Sequence, residues 1–258
     1  MTARATAGVL ALIAASVAFI WAYHYFTQTH HFQAREIVVT GQQRLSRSQV
    51  LEIAAVEPHM NILAVNLTTT RKRLLANPWI ADAAVSREIP SGLSIHIREE
   101  VPLAILEMGD GHGFLINIAG AVFEREDISN SAGLPRVAGL DHADLPVPGE
   151  PPTEAFEAVM NLLHLARETN SPLPLVDIQR LQMDPEIGAI VHLGEAGRAV
   201  KLGFGHYRDK CMALKHLTAQ LRGDDRLSRY RVIDLFDVNR IVISLTPAVS
   251  SDLEPKEA

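Results

Sequence analysis

Between Ala7 and Phe26 the chain runs for 20 residues without a formal charge, AGVLALIAASVAFIWAYHYF. A helix of that length is about 30 Å long, the thickness of a bilayer's hydrocarbon core. Such a segment either crosses a membrane or is removed as a signal. Trp21, Tyr23 and Tyr25 crowd its C-terminal end, as an interfacial aromatic belt does. Ser16-Val17-Ala18 has the small-x-small look of a cleavage site. The apolar run continues through Phe19, Ile20 and Trp21, however, beyond the short core that a signal peptide needs. A retained transmembrane helix over residues 7–26 is the better reading. The tail of residues 1–6 carries Arg4 and the terminal amine and no acid, so the positive-inside rule places it in the cytoplasm. Everything after the span is then exported, beginning with a polar, His-containing connector over residues 27–35.

Composition narrows what the exported part can be. With 47% hydrophobic and 21% charged residues, it is neither a wholly disordered chain nor a collagen nor a coiled coil. Its 24 Lys and Arg against 30 Asp and Glu give a net charge of −6, the wrong sign for a nucleic-acid partner. The single cysteine, Cys211, allows neither an intramolecular disulfide nor a multi-thiolate metal site.

Residues 36–104 read as one small α+β domain. Glu36 to Gly41 is a β-branched run closed by glycine, a strand. Ser46 and Gln49 have capping-box spacing and open a helix with Val50, Ile53 and Ala54 on one face. Asn66 caps a second helix that carries Leu74 and Leu75 inward and stops by Asn77, before Pro78. A hairpin follows, with Ala83, Val85 and Ile89 alternating, Pro90-Ser91-Gly92 turning, and Leu93, Ile95 and Ile97 alternating again. The order is β-α-α-β-β, which buries its stripes most economically as two helices on one face of a three-stranded sheet.

These residues resemble a known family. Val39-Thr40-Gly41 with its capped helix, Asn77-Pro78-Trp79-Ile80, Arg87-Glu88-Ile89-Pro90 and Arg98-Glu99-Glu100-Val101-Pro102-Leu103-Ala104 resemble a POTRA domain, and more narrowly that of the bacterial cell-division family FtsQ/DivIB. Residues 105–247 are less regular and mostly β. Strands fit Leu103–Leu106, Phe114–Ile118, Ala121–Phe123, Ile178–Met183, Ala189–Leu193, Arg198–Leu202, Tyr230–Leu235 and Arg240–Leu245, while Leu134-Pro135, Gly139 and Pro146 to Pro152 mark loops. Thr153 caps an amphipathic helix with Phe156, Val159, Met160 and Leu163 on one stripe. Another helix starts near Tyr207, with Tyr207, Cys211, Leu214, Thr218 and Leu221 aligned. A mostly antiparallel β-domain with helices on one side is expected, then a disordered tail over 248–258. This order is similar to the family's second domain, with departures at Asn117, where the family often has Asp, and at Phe236, where it often has Arg.

Nothing in the sequence makes an active site. There is no His-Glu-x-x-His, no Cys-x-x-Cys, no Gly-x-Ser-x-Gly and no Ser-x-x-Lys. His30-His31 sits in the connector, and His164 and His216 have no ligand partner at metal spacing. Gly109, Gly111 and Gly113 are followed by β-rich sequence, which fits a hairpin loop rather than a phosphate cradle. Cys211 lies on an apolar stripe, as a buried thiol does. The expected role is a scaffold without enzyme activity, cofactor, metal or small-molecule substrate.

A sheet edge carries unpaired N–H and C=O groups that accept a partner strand. Arg240-Ile241-Val242-Ile243-Ser244-Leu245 is the best candidate, since Pro247 ends it and no later strand is encoded to cover it. The resemblance implies that this strand and the turn before it (Asp237, Asn239, Arg240) take a strand of the division protein FtsB, itself paired with FtsL, at the septum of the inner membrane. Ile241, Ile243 and Leu245 would add specificity from one face. Arg208, Lys215 and Arg222 recur every seven residues on the preceding helix and are secondary candidates for meeting acidic partner residues. By the same analogy, residues near Ala83–Arg87 would recruit upstream division proteins. The rival readings are a POTRA-bearing component of outer-membrane assembly or secretion, and a membrane-anchored hydrolase or cell-wall-binding protein. A barrel of many alternating strands, which the first usually carries, is absent from this sequence.

Overall fold

The computed structural model describes residues 8, 10–21, 32–108, 111–128, 133–147, 149–194, 197–220 and 230–245. Residues 10–21 are helical, about 18 Å at 1.5 Å per residue, and Leu10, Leu12, Ile13, Val17, Phe19, Ile20 and Trp21 all stand exposed along them. No helix among the described residues is long and apolar enough to cross a membrane. The expected span over 7–26 also needs residues 7, 9 and 22–26, which lie outside the described residues, as do the tails 1–6 and 248–258. The chain divides into two compact units, Met1–Glu100 and Val101–Ala258.

In the first unit β1 (Glu36–Thr40), α1 (Arg47–Ala54), α2 (Leu67–Leu75), β2 (Ile80–Glu88) and β3 (Gly92–Glu99) follow in the expected order. The sheet runs β1-β3-β2, with β1 parallel and β2 antiparallel to the central β3. Ser46 and Gln49 form the expected capping box, and the Asn66 side chain accepts from Thr69 N–H. Val50, Ala54 and Leu74 from the helices close over Leu93, Ile95 and Ile97 of β3. Two details differ from the sequence reading. Ile89 lies past the end of β2 and is 74% exposed. Residues 32–35 are no connector: Gln33 bridges Asn61, and Ala34 is buried in the core, a pairing too short to read through its polar neighbours.

The residues behind the family resemblance are joints of this unit. Three arginines pin its elements through charge-assisted bonds to backbone carbonyls. Arg47 reaches Ile37 O at 2.8 Å, Arg71 reaches Ala83 O at 2.7 Å, and Arg87 reaches Ile62 O at 2.7 Å and Val65 O. The Glu99 carboxylate accepts the N–H groups of Gln43, Arg44 and Leu45, and Arg44 stacks over Trp79 with 3.8 Å to the ring centroid. Burial alone would raise the Glu99 pKa, but the three backbone donors outweigh it and hold it below its ordinary value of 4.5. Gly41 sits at φ +88°, and a Cβ there would meet Ile97 O at 1.8 Å.

The second unit is one nine-stranded sheet in the order β12-β11-β10-β9-β8-β7-β4-β5-β6. Its strands are β4 (Pro102–Glu107), β5 (His112–Asn117), β6 (Val122–Asp127), β7 (Arg136–Ala138), β8 (Ile178–Asp184), β9 (Gly188–Leu193), β10 (Arg198–Gly203), β11 (Tyr230–Asp237) and β12 (Arg240–Leu245). The helices are α3 (Glu154–Arg167), capped by Thr153, and α4 (Tyr207–Gln220). Neighbours are antiparallel except at β4/β7, β7/β8 and β10/β11. Phe156, Val159 and Leu163 of α3 and Tyr207, Cys211 and Leu214 of α4 share one core with Leu181, Val191, Val200, Ile233 and Leu235 of the sheet. The unit starts at Val101, so Leu103 and Ala104, expected at the end of the first domain, are buried in the second. Strand β7 falls where a loop was expected. Three residues between Pro135 and Gly139 show no alternation, and only the open ladder between β4 and β8 makes them a strand.

Two outcomes are expected in the first unit. Gly41→Ala should cost more than about 1 kcal/mol, because Ala tolerates neither the positive φ nor the contact. In a domain of this size the melting temperature then falls by roughly 4–8 °C per kcal/mol. Second, the folded Glu99 pKa lies below its unfolded value, so its stabilising contribution is present above the unfolded value and fades as pH drops through the folded one. The melting-temperature gap between wild type and Glu99→Gln should therefore be widest near neutral pH and close in acid.

Candidate partner-binding edge

The chain reaches its last hairpin through a parallel crossover. Strand β10 feeds α4, and α4 returns the chain so that β11 lies parallel to β10, with Ala199, Val200 and Lys201 opposite Val232, Ile233 and Asp234. Ile233 and Leu235 are 1% and 0% exposed and anchor β11 to the core. Strand β12 folds back antiparallel through a two-residue turn, Val238-Asn239, with Asp237 opposite Arg240. The Asp237 carboxylate accepts the Asn239 N–H at 2.9 Å, which is how an Asx turn closes a hairpin. No strand among the described residues pairs with the outer side of β12.

The expected site residues sort into two groups. Asp237, Asn239 and Arg240 are exposed together at the turn. Ile241 and Ile243 are half-buried against the domain's own core, whereas Leu245 is 44% exposed. The bulges in β11 opposite this strand shift the register, so Leu245 pairs with Tyr230 and Ser244 with Val232, while exposure along β12 itself alternates from Arg240 to Ser244. The outward apolar residues are Val242 and Phe236, 48% and 59% exposed; the sequence reading had not chosen Val242. Phe236 N–H bonds the Asp234 carboxylate, and the Phe236 ring lies over Gly203, where a Cβ would meet it at 2.7 Å. The other departure, Asn117, is structural. Its side-chain oxygen accepts the N–H groups of Ala119 and Ala121 at 2.9 Å and closes the β5–β6 turn.

The sheet's two edges differ in character. At the far side, β6 carries Glu124, Arg125, Glu126 and Asp127 in six residues; β12 carries Arg240 as its single charge. Charged edge strands resist pairing with another chain, and β12 carries fewer charges than β6.

A residue that the sequence reading left out fixes the approach to this hairpin. Lys210 is 4% exposed, and its Nζ donates to Leu202 O and Phe204 O, closing the turn from β10 into α4. It also lies 6.0 Å from the Phe236 ring centroid. Burial lowers its pKa from the ordinary lysine value. The signal in the sequence was a lysine one turn into a predicted helix, on its apolar side. Of the secondary candidates, Arg208 and Lys215 lie exposed beside residues 168–172, and Arg208 is bound by Glu168 at 2.8 Å; Arg222 lies outside the described residues. Burial lifts the Cys211 thiol to about 11, with Glu168 adding to the rise and Arg208 opposing it, so the sulfur stays protonated at neutral pH. Among the described residues no group of three or more His, Cys, Asp or Glu could hold a metal ion.

Residues 32–100 of the first unit match the family model described as POTRA domain, FtsQ-type. Within the first unit, that stretch is similar to a POTRA domain. Over 218 residues the chain is 26% identical to the cell division protein FtsQ of Syntrophotalea carbinolica, covering 83% of this chain and 74% of that protein. Over 243 residues it is 24% identical to FtsQ of Geotalea daltonii, covering 94% and 86%. It is also 27% identical over 156 residues to the cell division protein DivIB of Clostridium tetani, covering 58% of each. The resemblance to FtsQ/DivIB read from the motifs thus holds and extends well beyond the POTRA residues.

Replacing Lys210 with Met keeps the apolar stem and removes the donor, leaving two carbonyls unpaired at about 1–3 kcal/mol each. The second unit should melt earlier and amide exchange should speed up across residues 203–210, while the POTRA transition stays put.

Proposed function

We propose that this chain is a non-enzymatic scaffold of bacterial cell division, anchored in the inner membrane by residues 7–26 with its folded units in the periplasm, and that it captures a partner strand along β12. The observation that carries the reading is the asymmetry of the nine-stranded sheet: a charge-bearing edge at β6 and an apolar, unoccupied one at β12 among the described residues. The relatives named as cell division proteins give the setting. The partner proposed, on the family resemblance, is the FtsB/FtsL pair, whose recruitment would link the septum to wall synthesis. Main-chain bonds to residues 240–245 supply affinity, and alternate side chains supply specificity. Val242, Leu245 and Phe236 are the contacts offered outward, the Asp237–Arg240 turn borders them, and Arg208 and Lys215 are further away on α4.

Adjacent residues of an edge strand point their N–H groups to opposite sides, so of Val242→Pro and Ile243→Pro one removes an outward donor and leaves the ladder to β11 intact. That variant should remain folded, with an unchanged melting curve, and should lose capture of co-expressed FtsB and FtsL by the full chain. A folded proline variant that captures the pair as wild type does would rule out strand addition at β12.

A further inference from the structure

Beside the first turn of α4 the second unit opens a groove of about 800 Å3, and none of its lining residues comes from β11 or β12. Its size is that of a site for a drug-sized ligand or a few side chains. Ala155, Ala158 and Leu165 of α3, Met183 of β8 and Phe204 give it an apolar lining. Six carboxylates border it: Asp141, Asp144, Glu154, Glu157, Glu168 and Asp184. Among the described residues Glu168 alone of the six meets a cation, Arg208, and the other basic lining residues are His164 and His206. The N–H groups of Ile187 and then Glu186 bond the Asp184 carboxylate and hold its pKa below the ordinary value. The groove is therefore apolar within and strongly negative at neutral pH.

Phe204 is displayed there by construction. Its ring is 51% exposed, and its backbone oxygen is gripped by the buried Lys210 at 2.9 Å. A rigid, exposed aromatic beside a concave apolar surface is the usual anchor of a protein interface. The charge excludes other occupants: a nucleic acid or an anionic lipid surface is repelled by the carboxylates, and a bare cation leaves the apolar lining wet.

We propose that this groove binds a basic, amphipathic peptide segment of a partner protein. Its apolar face packs on Ala158, Leu165, Met183 and Phe204, and its Lys and Arg side chains meet Glu154, Glu157, Asp141 and Asp184. Complementary charge sets the choice of partner and speeds encounter. This site is distinct from the strand-addition edge, because no lining residue comes from β11 or β12.

The test is fluorescence anisotropy on the full chain in neutral-detergent micelles. The probe is a short fluorescein-labelled peptide with leucines on one helical face and Lys and Arg on the other. Wild type should bind it, less tightly as salt rises. Phe204→Ala and the double variant Glu154→Gln/Glu157→Gln should each weaken binding by about tenfold or more. All three substituted residues are exposed, so melting curves should be unchanged. Binding of the probe should survive in the folded β12 proline variant. The proposal is overturned if the groove variants bind as wild type, or if a probe with Glu in place of Lys and Arg binds equally well. Self-association of the chain that the double variant abolishes, seen by size-exclusion chromatography with light scattering, would make the occupant a second copy and equally overturn it.

Discussion

A buried lysine nitrogen gripping two carbonyls is the contact on which the second unit turns. Where β10 ends, the chain must reverse into α4 within a few residues, and the Lys210 Nζ donates there to the carbonyls of Leu202 and Phe204. An unpaired buried carbonyl costs more than a hydrogen bond returns, so Lys210 satisfies both from inside the core. With that turn closed, Tyr207, Cys211 and Leu214 come down on the sheet, and β11 can lie parallel to β10. Strand β12 then becomes the margin of the sheet. Both the edge and the groove beside Phe204 inherit their geometry from this one polar contact inside an apolar core.

The POTRA unit solves a related problem with arginine. It is too small for a large core, and its loops are tied down by guanidinium groups on backbone carbonyls and by one carboxylate on three N–H groups. At the exposed side of β2, Arg71 and Asp82 together bond both the C=O and the N–H of Ala83, so that strand's margin is closed at that point by its own side chains. The large sheet treats its margins unequally, with charge at β6 and branched apolar residues at β12. Charge along an edge strand disfavours pairing with another chain, so the two margins of this sheet differ in how readily they would accept one.

Much of this was legible in the chain itself. The capping residues Ser46, Asn66 and Thr153, the alternation of Leu93, Ile95 and Ile97, and the stripe along α3 are local signals, and each produced the element expected of it. Strand β7 was not legible, because three residues between proline and glycine carry no period. Which face of β12 packs on the core was hidden as well: alternation groups Ile241 with Ile243 and sets Val242 opposite, and only tertiary packing turns the first pair inward.

The sequence by itself determined most of the elements, the β-α-α-β-β order, the family likeness and the identity of the last strand, all of which depend on spacing along a few neighbouring residues. Only the tertiary structure decided that β12 lies at an edge rather than inside the sheet, that Ile241 and Ile243 turn toward the core, that Lys210 closes the turn into α4, and that six separated carboxylates frame a groove. Those properties depend on which distant segments become neighbours. Burial and hydrogen-bond completion across the whole domain settle that, and no local pattern encodes it.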